Sequence, residues 1–288
     1  MSVLVRQLSN VFKLRIGFTI AFTALAGIAI TPGPGLEAWQ IVALAIAVLV
    51  SSASAGGYNQ YMERDLDAQM NRTSNRPFVT GALRHGPYFL VILGLMLVAS
   101  VGLAAITLNA MSALYVFLGA FVYSIVYTSW LKRRTWLNIV FGGLAGSFAV
   151  LAGAAAVDPG LSALPIILAV VLFLWTPSHF WSLAIVLHKD YEAAGVPMLP
   201  VVVGDRKAAQ VIFVNTLMLV AVSLLPMWYG MGWIYLLGAG AGGALFLYKN
   251  VQLLRDPSVK MARANFHASL IQLTLLLAAA IADVQLLG

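Results

Sequence analysis

Tyr88–Thr107 reads YFLVILGLMLVASVGLAAIT and carries no charged residue. A helix of about 20 residues is about 30 Å long, which matches the hydrocarbon thickness of a bilayer. The run is continuous and not alternating, so it reads as a membrane-spanning helix and excludes a strand of a transmembrane barrel. The 288-residue chain around it is 61% hydrophobic and 9% charged, with a mean hydropathy of +0.91. That is too apolar for a soluble domain of this length, and the expected class is all-α, a polytopic membrane protein. The chain has no cysteine, which removes disulfides, thiolate metal sites and cysteine nucleophiles. Its formal charge of +7 is read as cytoplasmic loops facing anionic lipid or an anionic substrate, with no nucleic-acid partner.

Working outward from that run, similar apolar segments lie at about 16–30, 39–56, 113–130, 137–157, 161–180, 208–228, 233–248 and 264–287. Turn signals separate several of them, including Thr31–Gly35 (TPGPG) and Asp158-Pro159-Gly160. The pattern predicts nine transmembrane helices. Residues 1–15, with Arg6, Lys13 and Arg15 and no acid, read as a cytoplasmic interfacial helix. No cleavable signal pattern precedes the first span, so it is expected to be retained. With the N-terminus cytoplasmic, all 17 Lys and Arg fall on one side, whereas Glu37, Asp158 and Asp283 fall on the other. This is the positive-inside pattern. An internal echo is also present: Asp67 precedes Gly81, and Asp190 precedes Gly204, by the same interval. Two pseudo-repeated helical units, each with an elaborate cytoplasmic loop, would account for it. Residues 1–288 are read as a single intramembrane domain, with the first motif loop at 59–84 and the second at 179–207.

The most polar stretch is Asn59–Pro77, NQYMERDLDAQMNRTSNRP. Asn59, Glu63 and Asp67 are spaced four apart, so a helix would put them on one stripe. Like charges so placed repel, and a divalent cation would reverse the sign of that interaction. Asp190, in the second loop, adds another oxygen ligand on the same side. Lys13, Arg15, Arg72, Arg76, Lys132, Arg133 and Lys189 surround these groups. Oxygen ligands with few carboxylates suit magnesium, which shares itself with substrate phosphates. Lys and Arg supply counter-charge for phosphate oxygens. Acids for a metal and bases for phosphates, at the mouth of an apolar bundle, fit a diphosphate head on a long hydrocarbon tail. His179 ends the sixth expected span and lies close to the face of Asp190 on an unbroken helix. An ionisable residue at a span end is a functional candidate. Asp65 lies off the stripe and is read as an arginine partner.

N-x3-E-R-D-x-D followed by R-T-x2-R-P resembles the first acidic motif of the UbiA-type intramembrane prenyltransferases. YTSWLKRRTWLNIVFGG (Tyr127–Gly143), WTPSHFWSLAI (Trp175–Ile185) and DYEAAGVPMLPVVVG (Asp190–Gly204) bring the likeness closer to the haem-farnesylating branch of that family. The resemblance spans nearly the whole chain. It implies nine helices around a central cavity. It assigns Asn59, Glu63 and Asp67 to a magnesium–diphosphate site and Asp190 to the second acidic motif. Lys13 and Arg15 would be the basic pair entering the first span, and Arg72, Arg76, Lys132 and Arg133 bases near the diphosphate. His179, with His188 beside it in rank, becomes a haem contact. Gln60 and Val186 depart from the broader family, which has acids there, so a complete second metal site is not expected.

The reaction so implied transfers a farnesyl group from farnesyl diphosphate to the vinyl group of haem B, with addition of water. Magnesium is the implied cofactor, and lipid, with downstream haem-modifying or oxidase-assembly proteins, completes the implied partners. The implied location is the bacterial inner membrane, with the active site facing the cytoplasm. Two other readings stand beside this one. A prenyltransferase of the same type could act on an aromatic quinone precursor. A secondary transporter of an anionic solute would place charge near the span centres, where this chain has almost none.

Overall fold

Lipid offers the backbone no hydrogen-bond partner, so apolar runs that enter it must bond within themselves as helices. A computed structural model describes residues 3–287, with side chains from residue 5 onward, and those residues contain helices and no strand. In chain order they are α1 (Val3–Val11), α2 (Leu14–Ala29), α3 (Ala38–Met62), α4 (Arg64–Asp67), α5 (Pro77–Thr80), α6 (Pro87–Thr107) and α7 (Ala110–Phe121). A π-helical segment, Val122–Leu131, prolongs α7. Then follow α8 (Asn138–Gly142), α9 (Leu144–Val157), α10 (Ala163–Val186), α11 (His188–Ala193), α12 (Leu199–Val203), α13 (Asp205–Ser223), α14 (Trp233–Arg255) and α15 (Val259–Leu287).

Every expected span falls on a helix. Among the described residues seven are long and apolar enough to cross a membrane, or up to eight if the bent pair α1–α2 is one span. Several helices run past the apolar segments that predicted them. α3 continues to Met62, α10 to Val186 and α14 to Arg255, while α13 begins at Asp205 and α15 at Val259. All five extensions carry or adjoin Lys and Arg residues in the sequence. Lipid-facing surface is carried by side chains such as Val98 and Ile106 of α6, which are 70% and 88% exposed. Exposed apolar surface on this scale requires a nonaqueous neighbour.

The long helices pack largely in chain order. α2 lies on α3, α3 on α6, α6 on α7, α7 on α9, α9 on α10, α10 on α13, α13 on α14 and α14 on α15, and α15 returns to α2. α2 and α9 also cross at very short range. A Cβ on Gly27 would run into the Val150 carbonyl, and one on Gly153 into the Ala24 carbonyl. Small residues allow such backbone contact where no hydrophobic force draws helices together. In the second half, buried polar side chains join four helices. Asn265 Nδ2 donates to Ser182 Oγ, Asn250 Nδ2 to Asn265 Oδ1, and Asn215 Nδ2 to Ser178 Oγ, at 2.7–3.0 Å.

The two motif loops pack on one another. Leu66 and Met70 of the first share a buried cluster with Tyr191, Val196, Met198 and Leu199 of the second. Each loop closes with a short proline-entered helix, α5 and α12, ended by Gly81 (φ 77°) and Gly204 (φ 81°). Only glycine takes such φ values without steric cost.

Candidate functional site: a basic chamber over an apolar groove

α3 carries the polar stretch out of the bundle. It ends at Met62, but α-type bonding continues. Glu63 N–H donates to the Asn59 carbonyl at 3.0 Å and Asp67 N–H to the Glu63 carbonyl at 2.7 Å. Asn59, Glu63 and Asp67 therefore stay on one stripe although the chain bends at Glu63, and they are only 2%, 2% and 1% exposed. Thr73 Oγ1 donates to the Asp67 carbonyl at 2.9 Å and holds the turn that follows.

Each stripe residue has a basic partner. Lys13 Nζ donates to Asn59 Oδ1 at 2.6 Å and to the Tyr123 hydroxyl at 2.9 Å. Lys132 Nζ lies 2.5 Å from Glu63 Oε2, and an Arg76 guanidinium nitrogen 2.6 Å from Asp67 Oδ2. Buried charges need such partners. Burial raises the Asp67 carboxyl above the ordinary range, and Arg76 pulls it back down. Lys13 reaches Asn59 from a left-handed turn between α1 and α2 (φ 48°, ψ 42°). For a residue with a Cβ this costs about 1–2 kcal/mol, and the two side-chain bonds offset it.

The π-helical segment supplies the facing wall. Its five-residue backbone bonding ends with Lys132 N–H donating to the Tyr127 carbonyl at 2.9 Å, and the Thr128 hydroxyl donates to the Tyr123 carbonyl over the same interval at 2.8 Å. Tyr123 is thus stacked above Thr128, and Tyr127 above Lys132. Thr128 Oγ1 also accepts from Asn59 Nδ2 at 3.0 Å, which orients the carboxamide. The Lys132 ammonium sits 5.7 Å from the Tyr127 ring centroid. π-helices concentrate at functional sites, and no periodicity in the sequence announces this one.

These groups line a chamber of about 570 Å³ that holds Lys13, Arg15, Asn59, Glu63, Asp67, Arg72, Arg76 and Lys132. A smaller, largely apolar groove of about 120 Å³ runs between α2, α3, α7 and α9, lined by residues such as Ile20, Val116, Ala149 and Ala152. Chamber and groove share Lys13, Ile16, Tyr123 and Phe180. A polar head and an apolar tail could occupy them together.

A divalent cation is tested by the oxygens left over. Glu63 Oε1 and Asp67 Oδ1 are buried without a hydrogen-bond partner. Two acceptor-only oxygens in that state fit a metal ion that would satisfy them. Among the described residues no three His, Asp or Glu side chains gather around one point. The donor set is two carboxylates and a carboxamide, which suits a cation that keeps several waters.

Five of the predicted site residues lie outside the chamber lining. Asp190 is partly exposed, and its Oδ1 accepts from Asn71 Nδ2 at 3.5 Å, linking the two motif loops. Arg133 and Lys189 are exposed. His188 Nδ1 pairs with Asp205 Oδ1 at 2.7 Å across the second loop. His179 lies between the rings of Trp175 and Phe266, at 4.2 and 4.3 Å between centroids, with Nδ1 2.7 Å from Ser269 Oγ. That face of α10 turns to α15, whereas the next residue, Phe180, lines both cavities. Sequence reasoning did not single out Arg6, Tyr123, Thr128 or Tyr191. Thr128 and Tyr191 fall inside the quoted YTSWLKRR and DYEAAG segments, whereas Tyr123 lies just before the first of them and Arg6 had no signal beyond its charge.

The UbiA prenyltransferase family model matches residues 20–276. Protoheme IX farnesyltransferase 2 of Paramagnetospirillum magneticum is 56% identical over 283 residues, covering 98% of this chain and 98% of that protein. Protoheme IX farnesyltransferase 1 of the same organism is 49% identical, covering 96% and 98%. Protoheme IX farnesyltransferase 1 of Cenarchaeum symbiosum is 40% identical, covering 96% and 95%. Among solved structures, one from work on digeranylgeranylglyceryl phosphate synthase in membranes has a TM-score of 0.79 at 17% identity, covering 97% and 98%. A UbiA homolog from Archaeoglobus fulgidus bound to DMAPP and Mg2+ has a TM-score of 0.73 at 15% identity, covering 98% and 100%. At such identities the likeness is one of fold.

Proposed function

Because the chain belongs to the UbiA prenyltransferase family, we propose that it transfers a farnesyl group from farnesyl diphosphate to a vinyl group of haem B. Water adds to the former vinyl carbon, giving haem O and diphosphate. The observation that carries this reading is the single buried stripe of Asn59, Glu63 and Asp67, set among bases where a polar chamber meets an apolar groove. The acceptor is read from relatives of 56% and 49% identity named protoheme IX farnesyltransferase.

The diphosphate lies in the chamber, and the farnesyl chain follows the groove past Ile16 and Phe180. Glu63 and Asp67 would hold magnesium through the carboxylate oxygens that now lack partners, and Asn59 through the carboxamide oxygen that now accepts from Lys13. Bound there, the ion would neutralise charge developing on the diphosphate as the allylic carbon–oxygen bond breaks. Lys13, Lys132, Arg72 and Arg76 take phosphate oxygens, and preorganised bases of this kind favour the leaving group. Tyr123 and Tyr127, stacked at 5.5 Å between centroids, present ring faces toward the developing allylic cation. The electron-rich vinyl carbon attacks that cation. Arg133 and Lys189, exposed on the basic side, attract the anionic substrate toward the mouth. Asp190 ties the second motif loop to the first.

The same reading places nine spans in a bacterial inner membrane, with the N-terminus and the chamber on the cytoplasmic side. The 17 bases gathered on one side support that orientation. The short proline-entered helices α5 and α12, each ended by a glycine of positive φ, support two related units. The product would pass to haem-modifying or oxidase-assembly proteins. The test is incubation of the purified protein with haem B, farnesyl diphosphate and magnesium, followed by mass analysis. A hydroxyethylfarnesyl haem is expected, and pyrophosphate release without that product would show the acceptor to be wrong.

A further inference from the structure

We infer that α1 is part of the substrate site, docked across the chamber by Gln60 so that Arg6 binds the diphosphate. The inference rests on the chamber being the diphosphate site. Arg6, Ser9 and Asn10 are spaced three and four apart, which puts them on one face of α1, and all three line the chamber. The left-handed turn at Lys13 bends α1 by 54° from α2, and the face lies at the open rim of the chamber, where Arg6 and Asn10 stay exposed. Val11 at the end of α1 is fully buried in a cluster with Phe78, Phe89 and Leu93, so the helix is anchored on the first motif loop and α6.

Gln60 makes the remaining attachment. It is 1% exposed, and its Nε2 donates to the Asn10 carbonyl at 2.8 Å. A carboxylate at this position could only accept, and it would repel that carbonyl. The amide at position 60 therefore serves α1 and does not add a negative ligand to the stripe beside it. Arg6 forms no ion pair with any described residue, whereas Glu63 and Asp67 are already matched by Lys132 and Arg76. Its charge is left for an anion in the chamber, and a guanidinium can take two phosphate oxygens at once. Arg6 is thus a binding residue, and Gln60 is a positioning residue that acts through it.

The test titrates inorganic pyrophosphate with magnesium into the full-length protein in nanodiscs, followed by calorimetry, and measures KM for both substrates. Arg6→Ala should weaken pyrophosphate about tenfold, the effect of losing one charge-assisted contact. It should raise KM for farnesyl diphosphate similarly while leaving KM for haem in place. Arg6→Lys should recover part of the loss. Gln60→Glu should produce a loss of the same kind, and Gln60→Met, uncharged and of similar size, a smaller one. In the Arg6→Ala/Gln60→Met double variant, which adds no charge to the chamber, the loss should not exceed that of the worse single variant, because the two act on one contact. Wild-type affinity in Arg6→Ala, or additive losses in the double variant, would overturn the inference and leave the chamber assignment standing. Failure of the wild-type protein to bind pyrophosphate would remove both.

Discussion

Lys132 Nζ lies 2.5 Å from Glu63 Oε2, while Glu63 Oε1 is buried without a partner. One half of the carboxylate is neutralised and the other is left for a ligand. Lys132→Met should lower stability by about 3–5 kcal/mol, because it leaves the buried Glu63 charge uncompensated. Thermal unfolding in nanodiscs checks this. The double variant with Glu63→Gln should recover most of the loss, and no recovery would mean that the lysine stabilises by packing alone.

Glu63→Gln by itself keeps the size of the side chain and its contact with Lys132, but removes the charge. Magnesium-dependent release of pyrophosphate should then fall by about 100-fold or more, the scale of losing an electrostatic contribution to the transition state. Turnover within a few-fold of wild type would remove Glu63 from the proposed ligands.

Asp67 has its carboxyl raised by burial and pulled back by Arg76. Arg76→Gln removes the opposing charge, so the carboxyl takes up a proton at higher pH than in wild type. The ionised form is the one that can hold a cation. The acidic limb of the pH–rate profile should therefore move to higher pH at fixed magnesium. A limb that stays in place, or moves down, would contradict the assignment.

Ala149 and Ala152 line the apolar groove and are almost completely buried. Ala149→Phe would fill part of the space proposed for the farnesyl chain. KM for farnesyl diphosphate should rise about tenfold or more, with geranyl diphosphate affected less, since each buried methylene contributes about 0.8 kcal/mol. Equal effects on the two substrates would place the chain elsewhere.

The side chain of His179 is stacked between Trp175 and Phe266 and bonded to Ser269. His179→Ala should lower the thermal midpoint through lost packing, with pyrophosphate binding at the wild-type level. A selective rise in KM for haem at unchanged stability would instead place the imidazole against the acceptor.

The chain by itself determined the helical class and the approximate location of each long helix, because apolar length in a bilayer is satisfied by helices. It also determined the stripe of Asn59, Glu63 and Asp67, since helical spacing is a local property that survived even the bend at Glu63. Tertiary structure alone decided which bases reach that stripe. Lys13 does so through a left-handed turn, Lys132 through a π-helical segment, and Arg76 by folding back over Asp67. It likewise turned His179 toward α15 and placed Asp190 against Asn71, outside the chamber lining. Those placements depend on helix packing and on backbone departures from α geometry, and neither leaves a periodic trace in the order of residues.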